Sequence, residues 1–248
     1  MLARDLVKQS IRVVFFDLGN TLIYEKDPWT PFYERADQAL LDVLREAGLQ
    51  ADQQMYHGFR GLLDLYYHRR GHDTKEETTL VLLKQLLEEH GNHQVTEGVL
   101  HAALRAMYSI TQENWHVEED AIPTLHTLKE NGFRIGVITN SSDDENTQTL
   151  MDKAGIRPYL DWAISSAAFG KRKPHPAIFD AGLRHFGIGA QRAAMVGDTF
   201  DADVVGAEQV GMLSIWITRR VHKTAPRSVV RPDAVVSKLS GIPALLST

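Results

Sequence analysis

Hydrophobic residues in this chain follow two alternating patterns. Short continuous apolar runs, rich in β-branched residues, read as strands buried on both faces of a parallel sheet. They fall at Val13–Phe16, 133–139, Trp162–Ser165, Ala193–Gly197 and 213–218, with an edge strand expected at Ala234–Val236. Stretches with helical spacing, such as 147–154 and 177–186, separate the later runs and close near a glycine, as helix ends often do. Strand and helix alternating in this way predict a doubly wound, Rossmann-like α/β core on a parallel sheet.

The stretch from about Glu25 to Trp115 breaks that rhythm. Segments 32–47, 53–69, 74–90 and 96–112 have helical spacing, with Leu40, Leu44 and Ala47, then Leu100, Leu104 and Met107, at intervals of three and four. No strand pattern lies inside it. An all-helical insertion is expected, giving a core of residues 1–24 and 116–248 and a helical domain of residues 25–115. No repeat or low-complexity tract interrupts the pattern, and residues 219–232 are its most loop-like part.

Composition narrows the function classes. The 248 residues are 43% hydrophobic and 24% charged, the balance of an ordinary globular protein. A formal net charge of −5 gives no electrostatic reason to expect nucleic acid or an anionic membrane as a partner. With no cysteine, disulfides, thiolate metal sites and cysteine nucleophiles are excluded. The first twelve residues are too polar for a signal peptide and no run approaches membrane-spanning length, so a cytoplasmic location is expected. Nothing in the pattern bears on oligomeric state.

In an open parallel sheet, ligands bind at the carboxyl ends of the strands. Asp17 follows the first run, and Thr139-Asn140-Ser141 ends the second. Lys173-Pro174 lies shortly after the third, and Gly197-Asp198 ends the fourth with Asp203 five residues on. Taken singly, such residues commonly cap helices or meet solvent. Their order and placement together carry the signal.

The string resembles the four motifs of the haloacid dehalogenase superfamily. Asp17-Leu18-Gly19-Asn20-Thr21 matches the first except at Gly19, where phosphatases of the family have a second aspartate. Val137-Ile138-Thr139-Asn140 matches the second, and Gly170 to Phe179 matches the third with its lysine at Lys173. Val196-Gly197-Asp198-Thr199 through Asp203-Val204-Val205-Gly206-Ala207 matches the fourth. The helical insertion sits where the family places its type 1 cap. The resemblance implies a Mg²⁺-dependent phosphatase acting on a small phosphorylated metabolite, with Asp17 as nucleophile. It implies that Asp17, Asp198, Asp203 and the Gly19 carbonyl hold the metal. Thr139, Asn140 and Lys173 would bind the phosphoryl group, helped by amides at the following helix start. The chemistry is coherent by itself: a carboxylate attacking phosphorus needs a cation against the repulsion of like charges, and an oxygen-rich set suits Mg²⁺.

Gly19 removes the family's general acid, a kind of assistance worth about 10²–10⁴-fold in rate. Activated leaving groups are therefore expected to suffer least. Glu25, Asp27 or a histidine of the insertion would be a replacement proton donor. Two other readings follow: a metal-independent 2-haloacid dehalogenase, which needs no acid, or a binding protein for a phosphorylated ligand or a protein partner. Retention of both Asp198 and Asp203 speaks against the dehalogenase. His68 and His72 read as polar surface at a helix end, and Arg219, Arg220, His222, Lys223 and Arg227 as a solvated loop. Trp29, Phe32, Tyr33, Tyr66 and Tyr67 read as packing residues, with lining of the cleft between insertion and core as the alternative.

Overall fold

The computed structural model describes residues 11–70, 73–221 and 230–247. His72, His222, Lys223 and Arg227 lie outside the described residues. A six-stranded parallel sheet forms the centre, built from β1 (Val13–Phe16), β4 (Arg134–Thr139), β5 (Trp162–Ser165), β6 (Ala193–Gly197), β7 (Leu213–Ile217) and β8 (Ala234–Val236) in the order β5-β4-β1-β6-β7-β8. β1 pairs with β4 on one side and β6 on the other, so the chain reverses its direction of travel across the sheet at β1. That reversal opens the crevice at the strand ends where Asp17 stands.

Period-two alternation sends the side chains of β1 to opposite layers. Val14 and Phe16 join a core with helices α5 (Ala121–Glu130), α6 (Asp144–Lys153) and α10 (Ile242–Leu246). Val13 and Phe15 join another with α8 (Pro176–Phe186) and α9 (Val205–Val210). All four are fully buried, which explains why the run is apolar throughout rather than alternating.

Between β1 and β4 lie four longer helices: α1 (Thr30–Glu46), α2 (Gln53–Arg69), α3 (Thr79–Glu89) and α4 (Glu97–Thr111). Asp52 caps α2 through the Met55 N–H at 2.9 Å, and Thr78 caps α3 through that of Val81 at 3.3 Å. Leu40, Leu44, Phe59, Leu83, Leu87, Leu100 and Leu104 make a core of their own there. Burying each such side chain contributes about 1.5–3 kcal/mol. Ala47 lies outside this core, exposed at the end of α1.

The two chain segments that join these helices to the sheet pair with each other. β2 (Ile23–Glu25) runs antiparallel to β3 (Trp115–Val117), with Glu25 opposite Trp115. Residues 74–78, expected to be helical, instead run extended beside the loop before α8. Lys75 bridges Lys171, Glu76 N–H donates to Gly170 O at 3.1 Å, and Arg172 N–H donates to Thr74 O at 2.8 Å. The remaining segment, α7 (Ser166–Phe169), is one turn long.

Candidate active site

Asp17 follows β1 directly, its N–H donating to Val196 O of β6 at 2.8 Å. The turn after it is left-handed at Asn20, with φ 55°, and not at Gly19. Asparagine tolerates that conformation better than most side chains. Gly19 therefore answers no backbone demand. A Cβ built on it would meet the Trp115 ring at 3.4 Å, an ordinary contact.

Lys173 is the hub of the site. Its buried ammonium donates to Asp17 Oδ1 at 2.8 Å and to Asp203 Oδ1 at 2.6 Å. Asn140 fixes the backbone beneath it: Lys173 N–H donates to Asn140 Oδ1 at 2.7 Å, and Asn140 Nδ2 donates to Lys173 O at 3.0 Å. The Asn140 side chain thus braces the lysine, and it lines the same cleft as Asp17 and Lys173. Thr139, nearly fully buried at the end of β4, lines the cleft beside it. The helix after β4 starts only at Asp144 and is capped by Asp143, which accepts from Asn146 N–H at 2.8 Å. That cap takes the Asn146 amide of the helix's first turn.

Asp203 sits in a single π-helical turn after β6, and its Oδ2 accepts from Thr199 N–H at 3.0 Å. A Cβ at Gly197 would overlap that carboxylate, so only glycine permits this approach. Asp198 is half-buried, and its backbone carbonyl accepts from Trp216 Nε1 at 2.8 Å.

Asp17, Asp198 and Asp203 each offer an oxygen within 4.8 Å of the others. Crowding has an electrostatic signature. Burial, with the charges of Asp17 and Asp203, pushes the Asp198 carboxyl up to about 7. Burial also raises Asp203 to about 6, against the pull of Lys173 and with Asp17 adding to the rise. Burial works against the charge on Lys173, but Asp17 and Asp203 outweigh it and hold the amine above the usual lysine range. Three carboxylates face one lysine, leaving an excess of negative charge. A hard oxygen donor set with surplus negative charge fits a divalent cation such as Mg²⁺.

These groups open into a cleft of about 1110 Å³ beneath α1, α2 and α4. Glu25 lines it and accepts a hydrogen bond from Trp29 Nε1. Asp27 does not; its backbone pairs with the Asn114 side chain. No histidine lines the cleft among the described residues. Trp29, Tyr33 and Tyr67 do line it, whereas Tyr66 is buried and donates to Glu76 Oε1 at 2.6 Å. Arg219 and Arg220 of the basic loop are paired: Arg219 meets Glu118 at 2.7 Å and Asp120 at 2.8 Å, and Arg220 meets Glu118 at 2.7 Å. His68 Nδ1 bonds to Asp64 O in its own helix, as polar surface does.

The pattern missed one buried group altogether. Glu76 accepts from Ser166 Oγ, lies 3.8 Å from Arg172 Nη1, and joins the helical layer to the Lys173 loop. In the sequence it stands at the start of a segment with helical spacing, which gives no sign of that role.

A doubly wound sheet whose strand ends gather three carboxylates around a buried lysine, under a helical layer, defines the class of protein. A family model described as haloacid dehalogenase-like hydrolase matches residues 11–211, and the chain belongs to that family. The glyceraldehyde 3-phosphate phosphatase of Pyrococcus abyssi (strain GE5 / Orsay) is 30% identical over 207 residues, 83% of this chain and 81% of that protein. A ribulose-1,5-bisphosphate 5-phosphatase of Halopiger xanaduensis (strain DSM 18323 / JCM 14033 / SH-6) is 29% identical over 220 residues, 88% of this chain and 89% of that one. Among solved structures, the 2-haloacid dehalogenase from Pseudomonas syringae pv. Tomato DC3000 is 26% identical with a TM-score of 0.66, covering 96% of this chain and 98% of that chain. No helix among the described residues is long and apolar enough to cross a membrane.

Proposed function

We propose that this chain is a Mg²⁺-dependent phosphatase of small phosphorylated metabolites that works through an aspartyl-phosphate at Asp17. The observation that carries the reading is Lys173, buried and bridging Asp17 and Asp203 at 2.8 and 2.6 Å. An ammonium so placed lowers the repulsion between the Asp17 carboxylate and an incoming phosphate dianion. The phosphatase names of the relatives at 30% and 29% identity support it as well. Asp17, Asp198, Asp203 and the Gly19 carbonyl are the groups that would hold Mg²⁺, which when bound neutralises phosphoryl charge as a Lewis acid.

Asp17 attacks phosphorus, and the bond from phosphorus to the leaving oxygen breaks with its electron pair on that oxygen. Water then attacks the acyl phosphate at phosphorus, frees inorganic phosphate and restores the Asp17 carboxylate. Thr139 borders the phosphoryl position, and Asn140 keeps Lys173 in place. Residues 25–115 act as a cap over a core of 1–24 and 116–248, excluding water during the reaction. Without a carboxylate at position 19, the first step favours esters that leave unprotonated.

The test is phosphate release from acetyl phosphate, an aryl phosphate and an alkyl monophosphate, with and without Mg²⁺, beside Asp17→Asn. Turnover that requires Mg²⁺ and vanishes in the variant is expected, in the order acetyl and aryl above alkyl. Equal rates for alkyl and acetyl phosphate would overturn the leaving-group argument, and release unaffected by Asp17→Asn would overturn the nucleophile. The missing acid at Gly19 favours a second reading, dehalogenation. Halide release from a 2-haloacid without Mg²⁺ would establish it, and the retained Asp198 opposes it.

A further inference from the structure

Three rings form a continuous wall on one side of the cleft. Trp29 and Tyr33 stack with centroids 5.7 Å apart and planes 9° from parallel, and Trp29 meets Trp115 at 5.9 Å. All three line the same cleft as Asp17, Thr139 and Lys173. Among the described residues Trp29 and Tyr33 belong to none of the hydrophobic cores, and Tyr33 is 38% exposed with the Arg60 guanidinium 4.2 Å over its ring. Rings that contribute no core packing yet face a polar cleft call for a ligand with an apolar face. Leu63 and Met107 add apolar surface to the same cleft.

The wall ends at the reaction centre. The Trp115 ring stands 3.4 Å from where a Cβ on Gly19 would lie, two residues from Asp17. In-line displacement sends the leaving group to the side of phosphorus opposite Asp17, out of the strand ends and toward residues 25–115. We propose that Trp115, Trp29 and Tyr33 form a binding subsite for a planar aromatic leaving group, making the substrate class aryl phosphates. The inference rests on reading the site as a phosphoryl site. Two independent features then converge on one chemistry. Position 19, two residues from Asp17, carries no acid and faces the Trp115 indole, and a phenolate needs far less protonation than an alkoxide. Stacking would orient the ring, and Trp and Tyr do so at small conformational cost.

The test is calorimetric titration with Mg²⁺ present, using benzylphosphonate and ethylphosphonate, neither of which can be hydrolysed at the bridging carbon. Benzylphosphonate is expected to bind about tenfold more tightly, with the preference reduced to about twofold or less in Trp115→Leu. Tyr33→Leu, at an exposed position, supplies a second variant and is expected to weaken the preference about threefold. Equal affinities in the parent protein, or a preference untouched by both substitutions, would overturn the subsite. A benzylphosphonate preference without Mg²⁺-dependent phosphate release from any ester would leave the subsite standing and remove the phosphatase reading.

Discussion

Glu76 and Arg172 face each other at 3.8 Å in a buried seam between the helical layer and the sheet, one residue before Lys173. Arg172 Nη2 donates to Lys75 O at 2.5 Å, while its Nε and Nη1 are buried without a hydrogen-bond acceptor. Glu76 is the carboxylate that compensates this guanidinium. Around it, Thr79 N–H donates to Ser142 O at 2.9 Å, and Thr79 Oγ1 bonds to Ser142 Oγ at 2.8 Å.

Removing one partner of such a pair leaves an uncompensated buried charge, at a cost of about 3–5 kcal/mol. Glu76→Ala is expected to lower stability by that amount, measured by denaturant unfolding. Glu76→Gln keeps the shape that meets Tyr66 and Ser166, so it should cost less than Glu76→Ala. Equal losses in the two would show that the charge is irrelevant.

Asn140→Ala removes both hydrogen bonds that fix the Lys173 backbone. A shift of the ammonium by about 1 Å should lower kcat roughly 10²-fold, with KM changed much less. Steady-state kinetics on acetyl phosphate decide it, and a pure KM effect would return Asn140 to ligand binding.

The three crowded carboxylates predict a pH-dependent stability. Asp198 is raised to about 7 from 3.8, so the folded protein holds a proton that the unfolded chain has lost. Its contribution is complete below the ordinary carboxylate value and is lost as pH rises through about 7. The metal-free protein should therefore lose stability between about pH 5 and about pH 8, and Mg²⁺ should restore it most at the upper end. Melting temperatures across that range, with and without MgCl₂, provide the measurement. An equal Mg²⁺ effect at both ends would contradict the carboxylate site.

Gly19→Asp tests what replaced the acid. The new carboxylate reaches toward the Trp115 ring, so the single change should raise alkyl phosphate turnover by no more than about threefold. In the Trp115→Leu background the same change should raise it at least about tenfold, a coupling visible in the four-way comparison of rates. Identical gains in both backgrounds would mean the ring does not exclude the acid.

The sheet was legible because each of its buried strands is a short apolar run. All six lie within a residue or so of their expected places, and Asp17, Thr139 and Asp198 emerge at their ends. Helices α1, α2 and α4 were legible from their apolar stripes for the same reason. Three-residue β2 and β3 were not, since a run that short has no period to detect. Thr74–Thr78 read as the start of a helix because nothing local stops one; pairing with Lys171 and Arg172, nearly a hundred residues away, decides its shape. Trp115 beside Gly19 is another such contact, made when the antiparallel return of the chain sets it opposite Glu25.

The left-handed turn at Asn20 has one more consequence. Because glycine is not required at position 19, the backbone there would accept a side chain. The nearest group such a side chain would meet is the Trp115 indole, 3.4 Å from the Cβ position. A proton donor at position 19 and the ring at position 115 are therefore coupled, and what one contributes depends on the other.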